Sequence, residues 1–243
     1  MNIIIIIQAR MGSSRLPGKV LLPLGKDTVL GHVINRCQKL NHINKVIIAT
    51  SDLGQDDPIA EWALENQIVC YRGSEDNVLK RYYDCAKEYN PDYVIRVTSD
   101  CPYLDYELAQ QTIDKMISEP SDIIFYEHAQ PMIRGLAVEL FSFDTLKKIY
   151  NCASESRHTE HVTYYAYEFS EQFNTSTLKV PDTLVDSKLR LTVDTEEDYM
   201  LCREIENNLK NARDLSSSEI IEFLKLNPQI ASINEHIEQK PVV

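Results

Sequence analysis

The stretch IIIIIQARMGSSRLPGK (3–19) gathers Arg10, Arg15 and Lys19 around Gly12, Pro17 and Gly18, and takes two of the chain's 7 glycines. Five successive isoleucines read as a buried strand, so the cations sit in the loop that leaves it. Backbone amides of such a loop can wrap a phosphate chain while Arg and Lys neutralise its charge. Pro17 stiffens the loop and lowers the entropy cost of holding that shape. Two familiar phosphate loops do not fit. Gly12 and Gly18 are too far apart for G-x-x-x-x-G-K-[ST], and Lys19 is followed by Val20 rather than a metal-binding hydroxyl. The dinucleotide pattern G-x-G-x-x-G is absent as well.

Two acidic residues supply the complementary chemistry. Asp100 follows DYVIRV (92–97) and Asp194 follows LRLTV (189–193), both strand-like. Carboxylates delivered by separate strand ends can meet at one point and share a hard divalent cation, which takes one or two carboxylates plus phosphate oxygens and water. The plainer accounts are a turn role for Asp100, before Cys101-Pro102, and a helix-start role for Asp194, before TEED.

The elements that must position these groups alternate in type. Strands are expected at 3–7, 45–50, 68–72, 92–97, 122–127 and 136–142, with helices at 28–40, 58–66, 77–88 and 105–117. A βαβα rhythm implies a mostly parallel sheet covered by helices on both faces. After residue 128 the rhythm loosens. Helices are expected at 143–152, 157–168, 195–212 and 217–226, with TSTLKV (175–180) and LRLTV (189–193) as a pair of strands and a polar surface tail from 227.

The 243 residues suffice for one substantial core, and 43% hydrophobic with 26% charged residues is ordinary for a globular chain. A formal net charge of -12 argues against nucleic acid or an anionic membrane as partner, and makes the basic loop more conspicuous. Six dispersed cysteines form no C-x-x-C pair, so reduced thiols and a cytoplasmic setting are expected. The isoleucine run is too short for a membrane span.

QARMGSSRLPGKVL (8–21) closely resembles the opening of the cytidylyltransferases that activate sugars and sugar acids. The likeness is greatest to the spore-coat polysaccharide biosynthesis F-type (SpsF-like) proteins, and more distant to the CMP-Kdo and CMP-acylneuraminate synthetases. It continues in order through ATSD (49–52), RGSEDNVLKRY (72–82), RVTSDCP (96–102) and LRLTVDTEEDY (189–199). The resemblance implies a glycosyltransferase-A-like, Rossmann-like three-layer α/β nucleotidyltransferase fold with a mostly parallel mixed sheet. One domain, 1–243, is expected: a nucleotide-binding half (1–128), an acceptor or oligomerisation elaboration (129–188), and a closing strand with C-terminal helices (189–243). CTP is the implied donor, Mg²⁺ the implied cofactor with Asp100 and Asp194 as its ligands, and a homodimer the implied assembly. Arg10, Lys19 and Asp100 are the expected catalytic residues. Gln8, Ala9, Gly12, Ser13, Arg15, Ser51, Asp52, Ser74 and Asn77 join them as nucleotide contacts. Asp76 is equally readable as the cap of a helix starting near Asn77, and Arg81 as a phosphate contact or a solvent-facing residue.

The acceptor is expected at MIRGLAVELF (132–141) and SRHTEHVTYY (156–165), through Arg134, Glu139, Arg157, His158 and Glu160. His158 and His161, one helical turn apart, superficially invite zinc, but no third ligand stands nearby in sequence. The tyrosines (13 in all) read mainly as half-buried core or rim. The expected reaction is transfer of CMP from CTP to a sugar acid, sugar phosphate or similar small acceptor, with release of pyrophosphate, for surface polysaccharide biosynthesis. Two rivals are a nucleotide-sugar-dependent glycosyltransferase, disfavoured because no D-x-D occurs anywhere, and a non-catalytic nucleotide-binding protein.

Overall fold

The computed structural model describes residues 1–128, 131–186 and 188–238. Strand β1 (Ile3–Gln8) is followed by a small hairpin, β2 (Pro23–Leu24) and β3 (Asp27–Thr28), then α1 (Val29–Gln38) and β4 (Lys45–Ser51). Next come α2 (Asp57–Glu65), β5 (Val69–Gly73), α3 (Val78–Tyr89), β6 (Tyr93–Thr98), α4 (Tyr106–Ser118), β7 (Ile123–Glu127) and β8 (Glu139–Ser142). The second half holds α5 (Phe143–Cys152), α6 (Ser156–Glu160), α7 (Tyr164–Glu168), β9 (Thr175–Lys179), α8 (Glu196–Asn208), α9 (Ser217–Leu226) and α10 (Pro228–Ala231).

The main sheet has the order β5-β4-β1-β6-β8-β7-β9, with β8 antiparallel to both neighbours and every other pairing parallel. β1 lies between β4 and β6, which explains its composition: a central parallel strand is covered on both faces and needs apolar residues throughout. The period of two divides the isoleucines between layers. Ile3, Ile5 and Ile7 pack with α1, α2 and α4; Ile4 and Ile6 pack with α3 and α5. A third core joins Leu189, Leu191 and Val193 to α8 and α9.

After β1 the chain builds outward through β4 and β5, then returns to add β6 on the other side of β1. The carboxyl ends of β1 and β6 therefore flank the point where the winding reverses, the place where open α/β sheets leave a crevice.

Five expectations change. Residues 189–193 are buried and extended but form only an isolated bridge, Arg134 with Arg190; β9 pairs with β7 instead. The expected strand 136–142 begins at Glu139, because Gly135 turns the chain at φ +90° and the Leu136 carbonyl accepts from the Asp105 amide (2.8 Å). The expected helix 157–168 is two short helices, interrupted at Val162 (φ 33°), and the helix expected over 195–212 ends at Asn208. Finally, the segment from 227 is no surface tail: α10 follows, Ile230 is buried, and Asn234 reaches the interior. Among the described residues no helix is long and apolar enough to cross a membrane, and all six cysteines are free.

Candidate active site

A cavity of about 610 Å³ opens where β1 and β6 end. Its lining includes Gln8 and Ala9 at the end of β1 and Thr98, Ser99 and Asp100 at and just beyond the end of β6. Its rim is the basic loop, folded by its own bonds: the amides of Ser13 and Gly18 both donate to the Met11 carbonyl at 2.9 Å. Gly18 takes φ +70°, a left-handed turn that suits glycine, and starts the turn Lys19–Leu21. Val20, 1% exposed, pins that turn to the core. Lys19 is thereby held low in the cavity while Arg10 and Arg15 remain at its mouth.

At the base, Lys19 Nζ donates to Asp100 Oδ2 at 2.8 Å and to Asp194 Oδ1 at 2.7 Å. The two carboxylates, far apart in sequence, thus share one ammonium. Asp194 Oδ2 also faces Arg15 Nη2 (3.3 Å) and accepts from Arg190 Nη2 (2.6 Å). Arg190 is fixed from behind by buried Asp198, whose Oδ1 accepts from Arg190 Nε (2.9 Å) and from Asn234 Nδ2 (2.8 Å). Asp198 Oδ2 accepts from the Asp194 amide (2.9 Å), so one carboxylate orders both the backbone and the partner of Asp194. The Val193 amide donates to the Asp100 carbonyl (2.8 Å) and ties the two acidic segments together.

The charges tune one another. Burial alone would lower the Lys19 pKa, but Asp100 and Asp194 outweigh it and the pKa is raised. Burial would raise that of Asp194, but Lys19, Arg15 and Arg190 hold it below the ordinary aspartate value. Both shifts favour the charged forms, the ammonium of Lys19 and the carboxylate of Asp194. Among the described residues no group of three or more His, Cys, Asp or Glu side chains is placed to hold a metal. Two carboxylates on one point still fit a hard cation that completes its shell with phosphate oxygens and water.

The sequence expectations divide cleanly. Gln8, Ala9, Arg10, Gly12, Ser13, Arg15, Lys19, Asp100 and Asp194 all line the cavity, as do Arg134 and Glu160. Ser51, Asp52, Ser74 and Asn77 do not. The buried Ser51 hydroxyl donates to Asp56 Oδ2, and Asp56 Oδ1 accepts from the Met11 amide (2.7 Å), so this serine braces the loop from outside. Asp52 is exposed at the end of β4. Ser74 Oγ accepts from the Asn77 amide, and Asn77, not Asp76, caps α3 by accepting from the Lys80 amide (2.7 Å). Arg81 does line the cavity, although its Nη1 donates to the Ser74 carbonyl.

On the acceptor side Glu139, Arg157 and His158 are drawn elsewhere. Glu139 accepts from Arg96 Nη1 and Thr163 Oγ1, each at 2.7 Å. His158 is 1% exposed, with Nε2 2.7 Å from Glu168 Oε2, and Arg157 pairs with Glu168 and Glu155. His161 lines the cavity whereas His158 faces the core, so the pair has no common face for zinc. Arg96, Thr98, Cys101 and Thr192 line the cavity without having been expected there. Arg96 carried a signal: an arginine inside an otherwise apolar strand needs a partner, and its register mate on β8 is Glu139. Arg134 borders a second cavity of about 530 Å³, which His128, Lys188 and Arg190 also line.

A mixed sheet of this order, with a cationic loop and paired carboxylates at its reversal point, defines an α/β nucleotidyltransferase. The cytidylyltransferase family model matches residues 4–239, and the chain belongs to that family of enzymes. Spore coat polysaccharide biosynthesis protein SpsF of Bacillus subtilis (strain 168) is 34% identical over 238 residues, covering 96% of this chain and 98% of its own length. The structure of a cytidylyltransferase from Leptospira borgpetersenii serovar Hardjo-bovis (strain JB197) superposes with a TM-score of 0.89 at 33% identity, covering 98% of this chain and 100% of the other. CMP:2-keto-3-deoxy-manno-octonic acid synthetase, solved in complex with CTP, shares the fold at a TM-score of 0.65 and 16% identity, over 85% of this chain and 99% of that one.

Proposed function

We propose that the enzyme uses CTP as donor, and that a phosphate or a sugar-acid hydroxyl of a small acceptor attacks the α-phosphorus in line. The products are a CMP-linked acceptor and pyrophosphate, made in the cytoplasm for surface polysaccharide. The observation that carries this reading is the convergence of Lys19, Asp100 and Asp194 within one hydrogen-bonded cluster beneath Arg10 and Arg15. The CTP complex of a protein with the same fold supports the choice of donor.

In this reading Gln8, Ala9, Gly12 and Ser13 present backbone to the phosphates, while Arg10, Arg15 and Lys19 bind their charge and stabilise the departing pyrophosphate. Asp100 and Asp194 would hold Mg²⁺, which when bound polarises phosphoryl oxygen and orients the displacement. Arg134, which lines both cavities, would receive an anionic group of the acceptor, with Glu160 and His161 lining the same first cavity. A phosphate acceptor reaches the site already deprotonated and needs no general base. In this reading the active form is a homodimer.

The test is pyrophosphate release, screening the four nucleoside triphosphates against pools of sugar acids and sugar phosphates with Mg²⁺. Release that requires CTP together with one acceptor class is expected. A preference for another triphosphate, or transfer from a nucleotide sugar instead, would overturn the assignment.

A further inference from the structure

The position between Asp100 and Asp194 is filled by the protein itself. Lys19 Nζ lies 2.8 Å from one carboxylate oxygen and 2.7 Å from the other, and Lys19 is only 9% exposed. A divalent ion joined to both oxygens needs the place that this ammonium occupies, and two cations cannot share it. Arg15 lies against the second oxygen of Asp194 at 3.3 Å, so that side is screened as well. Both cations belong to the loop that faces the cavity mouth, and both are the groups a triphosphate would attract. Lys19 has a four-carbon stem able to swing its ammonium several ångströms without moving the backbone.

We propose that Lys19 is a built-in counter-ion: it occupies the carboxylate pair in the free enzyme and yields it to metal only when nucleotide phosphates draw it away. Metal and nucleotide then enter as linked events, each improving the site for the other. The nucleotide contributes twice, by offering phosphate ligands and by removing the competing ammonium. The free enzyme keeps its acidic pair neutralised, and ambient divalent ions do not accumulate there. Arg190 holds Asp194 from the opposite side, bonded in turn to Asp198, so the carboxylate keeps its place when Lys19 leaves.

This inference rests on reading Asp100 and Asp194 as a metal site, but its test contains neither CTP nor acceptor, so it stands or falls separately from the donor assignment. Mn²⁺ binding to the nucleotide-free protein is measured from the loss of the free-ion paramagnetic signal, for the wild type, Lys19→Met, Lys19→Gln and the double variant Lys19→Met with Asp194→Asn. Replacing Lys19 by either neutral residue should strengthen Mn²⁺ binding at least tenfold, and Asp194→Asn in the same chain should abolish the gain. Mn²⁺ should correspondingly raise the melting temperature of the single variants more than that of the wild type. Equal Mn²⁺ affinity in the wild type and both single variants overturns the proposal, as does a gain that survives loss of Asp194. Two replacements of different polarity guard against a folding defect peculiar to one.

Discussion

Lys19 and Asp100 carry the sharpest consequences at the level of single residues. With Lys19 on the phosphates of bound nucleotide, Lys19→Ala should weaken CTP binding more than tenfold, about 1.4 kcal/mol or more. Titration calorimetry reads this directly, and an unchanged affinity counts against the loop assignment. Asp100→Asn keeps the size of the side chain and its place between the backbone bonds to Thr192 and Val193. It should abolish Mg²⁺-dependent turnover while leaving the circular-dichroism spectrum and melting behaviour close to wild type. Near-normal turnover would remove Asp100 from the metal role. That Lys19 and Asp100 meet in one cavity was legible in the sequence because strand ends fix where such groups can converge. Ser74, Asn77 and His158 lie outside the cavity, and the sequence could not foresee it. Serine and asparagine after a strand serve turns and caps as readily as ligands, and a histidine in a polar string gives no sign that it will turn inward onto Glu168.

Among the elements, the crossing of 131–137 over 189–193 is the joint that brings Arg134 and Asp194 to the same cavity. Gly135 sits at φ +90°, and a Cβ there would lie 2.4 Å from the Leu191 carbonyl oxygen. Gly135→Ala combines left-handed strain with a backbone clash and should cost at least about 2–3 kcal/mol in urea denaturation. A variant of wild-type stability would show that the crossing yields freely. Helix α1 provides a second test. His32 is 1% exposed, its Nε2 lies 3.0 Å from the Leu24 carbonyl, and burial pushes its pKa down to about 4. The unfolded chain therefore binds a proton that the folded chain refuses between roughly pH 6.5 and pH 4, and stability falls as pH drops through that window. The expected loss is up to about 3 kcal/mol. Glu206, 3.7 Å from the other ring nitrogen, has a raised pKa and acts with the opposite sign, so the histidine's share is the difference between wild type and His32→Gln. Parallel stability curves for the two proteins from pH 7 to 4 would refute it. The strand expected at 189–193 shows where pattern reading failed. Leu189, Leu191 and Val193 alternate because they enter the third core, but only an isolated bridge at Arg190 pairs the segment. Alternation reports which side is buried, not whether a hydrogen-bonding neighbour exists.

For the molecule as a whole, the sheet and its reversal point followed from the βα rhythm of the first half, while the closing contacts of the second half did not. Asn234 is the clearest case: a polar residue in a polar stretch, yet it donates to Asp198 (2.8 Å) and to the Arg190 carbonyl (3.1 Å) in the interior. No local period announces a single inward-facing asparagine. Asn234→Ala should destabilise the protein by about 1–3 kcal/mol, since Asp198 loses a donor inside the fold. It should also loosen Asp194 enough to weaken Mn²⁺ binding in the presence of CTP, while Gln229→Ala, at an exposed position nearby, should change neither. The separation in the chain between Lys19 and Asp194, 175 positions, carries a further consequence for a protein made from its amino end. At about 5–20 residues added per second, roughly nine to thirty-five seconds pass between synthesis of the lysine and arrival of its second carboxylate. In the later part of that interval a nascent chain on the ribosome holds the cationic loop and Asp100 without Asp194, so the cluster is completed abruptly rather than growing with length.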